Sequence, residues 1–115
     1  MGAVQKVKVK GTVICQKRRY ADAQIVLVEK DRLDSNDVLD KCYSNREGDF
    51  EIAGEEDEIG AIDPFITIRH NCNAQPGCER IGKYPIPAES INGREYDMSY
   101  ISLDIMTLEE KLECA

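Results

Sequence analysis

Five residues able to bind or react crowd one short stretch: Arg69, His70, Cys72, Cys78 and Arg80. They close the segment 64–80, Pro-Phe-Ile-Thr-Ile-Arg-His-Asn-Cys-Asn-Ala-Gln-Pro-Gly-Cys-Glu-Arg, which holds the chain's single histidine and two of its five cysteines. A zinc site needs ligand spacings such as Cys-x-x-Cys, and none occurs; the histidine stands two residues from Cys72. One histidine gives a catalytic Cys–His pair nothing specific, and no nucleophile–base or carboxylate pair stands out. No catalytic residue, metal ligand or cofactor is therefore assigned, and an enzyme is not expected. What remains is electrostatic: two guanidinium groups and an imidazole beside a turn bracketed by cysteines, a place suited to an anion.

Strands must position that turn. Residues 64–70 alternate, with Phe65, Thr67 and Arg69 on one side and Ile66, Ile68 and His70 on the other, and their β-branched content suits a pleated surface. Pro76-Gly77 then marks a turn. Residues 4–15 alternate as well: Val7, Val9, Gly11, Val13 and Cys15 share a dry face opposite Lys6, Lys8, Lys10 and Thr12. Further strands are expected over 23–29, 38–44, 49–53, 81–86 and 99–106, the last presenting Ile101, Leu103 and Ile105 together. Pro85 and Pro87 mark an edge or a fraying end. The four consecutive acids at 55–58 fall in an expected loop, and Thr107 with Glu110 could form a capping box that starts one short helix. Seven strands with turns every 8 to 12 residues read as an all-β sandwich.

The 115 residues form one domain, 1–115, near the lower size for a self-sufficient core. No run is long and apolar enough for a spanning helix. No apolar signal-like segment opens the chain, and Met1-Gly2 reads as a scar or as a start replacing something removed. Five cysteines in so short a chain favour an oxidising, extracellular setting. Two bridges and one free thiol can be drawn from them in fifteen ways. A net charge of −7 argues against nucleic acid, and no aromatic residues interleave with the basic ones.

Several segments together resemble the nematode transthyretin-like family. They are Lys10-Gly-Thr-Val-Ile-Cys15, Ala23-Gln-Ile-Val-Leu27, Arg46-Glu-Gly-Asp-Phe50, Ile62-Asp-Pro-Phe-Ile-Thr-Ile-Arg-His-Asn-Cys72, Cys78-Glu-Arg80 and residues 96–103. The resemblance implies a secreted, disulfide-bonded, prealbumin-like sandwich. Cys15, Cys72, Cys78 and Cys114 match the family's recurring cysteines and Cys42 does not, which makes Cys42 the candidate free thiol. At least one member type of the family is thought to bridge phosphatidylserine on dying cells to a phagocyte receptor. The fold is also that of 5-hydroxyisourate hydrolases, but those need several histidines and a Tyr-Arg-Gly-Ser tail. Here His70 is alone and the chain ends Leu-Glu-Cys-Ala.

Strand order adds a polarity. A chain crossing a sandwich once per strand puts alternate loops at opposite ends. Residues 16–22, 43–48 and 69–80 then share one end, with Lys17, Arg18, Arg19, Arg46, Arg69 and Arg80 against Asp22, Glu47 and Glu79. The other end, 29–40, 54–63 and 87–97, has three basic residues against thirteen acidic ones. The basic end gathers the cysteines, and Cys72–Cys78 and Cys15–Cys114 are the expected bridges. Charged hairpin tips are ordinarily just solvated; three converging on one end raise a binding reading. The leading expectation is an adaptor whose Lys17, Arg18, Arg19, Arg69, His70 and Arg80 take an anionic headgroup such as phosphatidylserine, while another surface engages a cell-surface receptor. A homodimer is left open. The alternatives are a carrier of a small apolar ligand, and a calcium-binding domain using Asp31, Asp34, Asp37 and Asp40 or the acids 55–58.

Overall fold

A computed structural model describes residues 2–30 and 36–115. The alternation that opens the sequence forms β1 (Ala3–Cys15), with Val7, Val9 and Val13 buried and Lys6, Lys8 and Lys10 exposed. Eight more strands follow: β2 (Arg18–Arg19), β3 (Gln24–Glu29), β4 (Asp37–Tyr43), β5 (Asp49–Glu58), β6 (Pro64–His70), β7 (Cys78–Pro85), β8 (Tyr96–Ser102) and β9 (Glu110–Cys114). Among the described residues the only helical element is a 3-10 turn, Ala88–Ser90.

The strands make two sheets. In the first, β1 lies between antiparallel β5 and parallel β8, and the short β2 folds back on the end of β1. The second runs β4-β3-β6-β7-β9, antiparallel throughout. Between them sit Val9, Val13, Ile25, Leu27, Ile52, Ile66, Ile68 and Leu103, essentially without solvent contact. Each such side chain contributes about 1.5–3 kcal/mol on burial, so this layer is the main source of stability. Gly11 leaves the space that the Phe50 ring fills, since a Cβ there would stand 3.0 Å from it.

All seven expected strands are present, two that were not expected, β2 and β9, join them, and the other differences lie at strand ends. The acids 55–58 are not a loop: they extend β5 against the start of β1, with Lys6 opposite Glu55 and Ala3 opposite Glu58. A ten-residue ladder of backbone hydrogen bonds satisfies groups that a loop would leave to water. Residues 110–114 form β9 where a helix was expected. The Thr107 amide does meet Glu110 Oε1 at 3.4 Å, as in a capping box, but the chain is drawn onto the β7 edge by the Cys78–Cys114 bridge. The strand expected over 99–106 stops at Ser102, so Ile105 is exposed rather than in line with buried Ile101 and Leu103.

The bridges are Cys15–Cys72 and Cys78–Cys114, correcting the expected Cys72–Cys78 and Cys15–Cys114. β9 explains the exchange, because it sets Cys114 directly opposite Cys78 and leaves Cys72 facing the end of β1. Cys42 is free and half-buried on β4, and burial pushes its thiol pKa up.

The loops do segregate as the alternation requires. Tyr20 Oη donates to Asn71 Oδ1 at 2.6 Å, the Asp22 amide donates to the Ser44 carbonyl, and the Val13 amide donates to the Gly48 carbonyl. At the opposite pole the Lys30 amide meets the Asp63 carbonyl and the Asn92 amide meets the Lys6 carbonyl. Residues 31–35, including Asp31 and Asp34 of the calcium alternative, lie outside the described residues.

Candidate functional site

β1 turns into β2 through Gln16 and Lys17, both with positive φ (50° and 64°), and Cys15 pairs with Arg18 across the turn. Two consecutive left-handed residues suit a two-residue hairpin, because they match the twist of the strands; non-glycine residues take them up at a cost. The surroundings hold the turn in that shape. The Gln16 amide donates to Asp104 Oδ2 at 2.9 Å, Gln16 Nε2 donates to Asn73 Oδ1 at 2.8 Å, and Cys15 is bonded to Cys72. The Gln16 amide, with Ser102 and Asn73, holds the Asp104 carboxyl below its ordinary pKa.

This clamped turn presents Lys17, Arg18 and Arg19 to solvent. Arg19 donates to the Glu47 carbonyl at 2.9 Å, and its guanidinium lies 6.0 Å from the centre of the Tyr100 ring. Among the described residues none of the three has a carboxylate ion-pair partner. Arg46 is exposed on the neighbouring turn.

The other three expected binding residues are engaged internally. Arg69 meets Glu79 and Glu113, each at 3.2 Å. Arg80 is 7% exposed; its Nε and Nη2 donate to the two oxygens of Glu110, and Nη1 donates to the carbonyls of Cys72 and Leu103. Glu110 keeps Arg80 protonated, and Arg80 in turn pulls the Glu110 carboxyl below its ordinary value. His70 is 3% exposed and accepts the Cys72 amide at Nδ1. Burial first, then the nearby Arg80, pushes its pKa below the ordinary 6.5, so it is neutral at pH 7. Among the described residues of the 16–22, 43–48 and 69–80 loops, the positive charge without a carboxylate partner is therefore on the 17–19 turn and Arg46.

Counting loop charges alone missed Asp104, Glu110 and Glu113. A signal for the last two was present: Lys111, Leu112, Glu113 and Cys114 alternate as a strand does, and a strand ending in cysteine can reach Cys78.

His70 carries a pH prediction. The unfolded chain binds the proton near pH 6.5 and the folded chain only below that, so stability falls as pH drops through the interval between. Melting temperature followed from about pH 7.5 to about 5 should fall more steeply for the wild type than for His70→Asn. Equal slopes would place the loss on other groups.

At the opposite pole Glu29, Asp37, Glu56 and Glu58 bring carboxylate oxygens within 4.8 Å of one another. Desolvation, then Asp37 and Glu58, raise the Glu56 pKa. Glu29 is buried, Glu56 and Glu58 are half-buried and Asp37 is exposed; a cluster of carboxylates does not by itself make a calcium site. An open hollow of about 610 Å³ lies over β1 and β5, lined by Val7, Ala53 and Gly54 together with Lys6, Lys8 and Glu55.

Residues 10–87 match the family model described as TTR-52: Transthyretin-like family. That span runs from the second half of β1 through β7, takes in the 17–19 turn, and stops before β8 and β9. Transthyretin-like protein 16 of Caenorhabditis elegans is 46% identical over 112 residues, covering 96% of this chain and 84% of that protein. Transthyretin-like protein 5 of the same organism is 37% identical over 95 residues, covering 80% of this chain and 68% of that protein. Among solved structures, a 9R-lipoxygenase from Cyanothece PCC8801 superposes with a TM-score of 0.56 at 16% identity, over 85% of this chain and 16% of that one. That likeness is one of fold alone.

Proposed function

The chain belongs to the transthyretin-like family, and from that premise we propose that it is a secreted binding module whose 17–19 turn takes an anionic lipid headgroup, phosphatidylserine, while another surface engages a cell-surface receptor. Family membership supports a binding module in general, and two disulfides fit an oxidising, extracellular setting. The headgroup reading rests on one observation: Lys17, Arg18 and Arg19 are exposed, without carboxylate partners among the described residues, and sit on a turn clamped by Asp104, Asn73 and the Cys15–Cys72 bridge. A backbone already clamped in shape loses little freedom on binding. In this reading Arg69, His70 and Arg80 support the turn's surroundings rather than touch the lipid.

Each basic residue near an anionic surface contributes about 1 kcal/mol, so three contribute about 3 kcal/mol, roughly a hundredfold in affinity. Salt weakens the attraction, since the residues are exposed. The test is sedimentation with vesicles of phosphatidylcholine alone or with phosphatidylserine, at low and high salt, with and without calcium. Binding is expected only to the serine lipid, and less at high salt. The triple reversal Lys17→Glu, Arg18→Glu, Arg19→Glu should abolish it while leaving the melting temperature within a few degrees, roughly the range for surface substitutions. Indifference to lipid composition overturns the reading, and so does a variant that still binds.

A further inference from the structure

On the premise that the 17–19 turn takes an anionic headgroup, we infer that Ile105 and Met106 form an apolar tip that enters the headgroup–acyl boundary of the same bilayer. Both side chains are 69% exposed. β8 stops at Ser102 and the chain turns there, the Ile105 amide donating to the Ser102 carbonyl at 3.3 Å. Buried Leu103, whose amide donates to the Ile14 carbonyl, anchors that turn to the end of β1. Asp104 then ties it to the basic turn. Its carboxylate accepts the Gln16 amide at 2.9 Å and Asn73 Nδ2 at 3.1 Å, and Gln16 directly precedes Lys17. Two consecutive apolar side chains and three cations without carboxylate partners among the described residues thus meet solvent at one pole, on turns clamped to each other.

The neighbours of the tip select a membrane as its occupant. Tyr100, 65% exposed on β8, has the Arg19 guanidinium 6.0 Å from its ring centre. A membrane boundary accommodates apolar residues deepest, with tyrosine and cations at the level of the headgroups. A lone apolar anchor holds a protein only marginally, and stable attachment needs a basic patch beside it. Two apolar side chains are also few for a protein partner, whose stable contact takes about 800 Å² from each side. Nearby carboxylates do little to repel an anionic surface: Glu79 and Glu113 share Arg69, and Glu110 is held by Arg80. Asp104 limits the depth. Its oxygens are engaged by Gln16, Asn73 and Ser102, so it stays among the headgroups and entry is shallow.

The chain has no tryptophan, so Ile105→Trp supplies a single reporter, and Ile59→Trp, at a residue 82% exposed at the opposite pole, is its control. With phosphatidylserine-containing vesicles whose acyl chains are brominated, Ile105→Trp emission should shift to the blue and be quenched, and Ile59→Trp emission should do neither. Ile105→Ser with Met106→Ser should weaken sedimentation with these vesicles about tenfold or more, and should melt close to the wild type because both residues are exposed. Binding to the serine lipid with a silent Ile105→Trp reporter and an unweakened double variant overturns the apolar tip and leaves the headgroup reading standing. Equal quenching in vesicles of phosphatidylcholine alone supports the tip and overturns the headgroup reading. Absence of binding to either vesicle overturns both. A lipid-free dimer lost in the double variant, with vesicle binding unchanged, gives the pair to a second copy and overturns insertion. If the double variant unfolds, the Ile105→Trp reporter decides.

Discussion

Replacing Arg80 by methionine is expected to lower the folding free energy by about 3–5 kcal/mol. The substitution keeps the aliphatic stem and removes the charge, leaving Glu110, whose side chain is only 6% exposed, with an uncompensated carboxylate. It also strips donors from the Cys72 and Leu103 carbonyls. Arg80 thus ties together β7, the loop carrying Cys72, the end of β8 and β9, and no other donor among the described residues is shown for that combination. A domain of this size has about 5–15 kcal/mol of stability in all, so the variant should be near unfolding at room temperature. Urea titration checks it through the midpoint at unchanged slope. The double variant Arg80→Met, Glu110→Met should recover much of the loss, because two apolar side chains leave no stranded charge. A loss under about 1 kcal/mol for the single variant would mean that water reaches the pair.

The second large effect belongs to Cys15–Cys72. This bridge spans a sequence separation of 57 and joins the sheet of β1 to the sheet of β6. Closing a loop of that length in the unfolded chain is worth about 4 kcal/mol on the chain-entropy account. Cys15→Ala with Cys72→Ala should lose about that much and also slacken the 17–19 turn, which would keep only its hydrogen bonds to Asp104 and Asn73 as clamps. Trypsin supplies the readout, since Lys17, Arg18 and Arg19 are consecutive cleavage sites that a strained turn protects. Cutting there should be slow in the wild type and fast in the double variant while the fold persists. Peptide mapping without reduction should recover the 15–72 and 78–114 linkages; a 72–78 linkage would refute the arrangement.

The sandwich was legible because its strands are written in alternation and β-branched residues, and because strand parity alone puts the 16–22, 43–48 and 69–80 loops together. What was not legible came from partners chosen in three dimensions. Arg69 and Arg80 look like free cations in sequence, yet Glu113 and Glu110 lie 44 and 30 residues away and reach them only once β9 has docked. The cysteine pairing failed for the same reason, since loop proximity favoured 72 with 78 while the strand register placed 114 opposite 78. The acids 55–58 show a different limit. Their charge reads as loop, but the partner strand β1 is long enough to hold them in a ladder, so tertiary pairing overrode local composition. Lys17, Arg18 and Arg19 are exposed, and among the described residues none has a carboxylate ion-pair partner.

The Cys78–Cys114 bridge has a mechanical consequence. Tension applied at residue 115 passes through a covalent link into β7, a strand flanked on both sides, before any of β9's hydrogen bonds are loaded. Pulled from that end, the oxidised molecule must shear an interior strand, whereas the reduced one would unzip from its margin a rung at a time. A protein strung between two surfaces would hold or let go according to the state of that single sulfur pair.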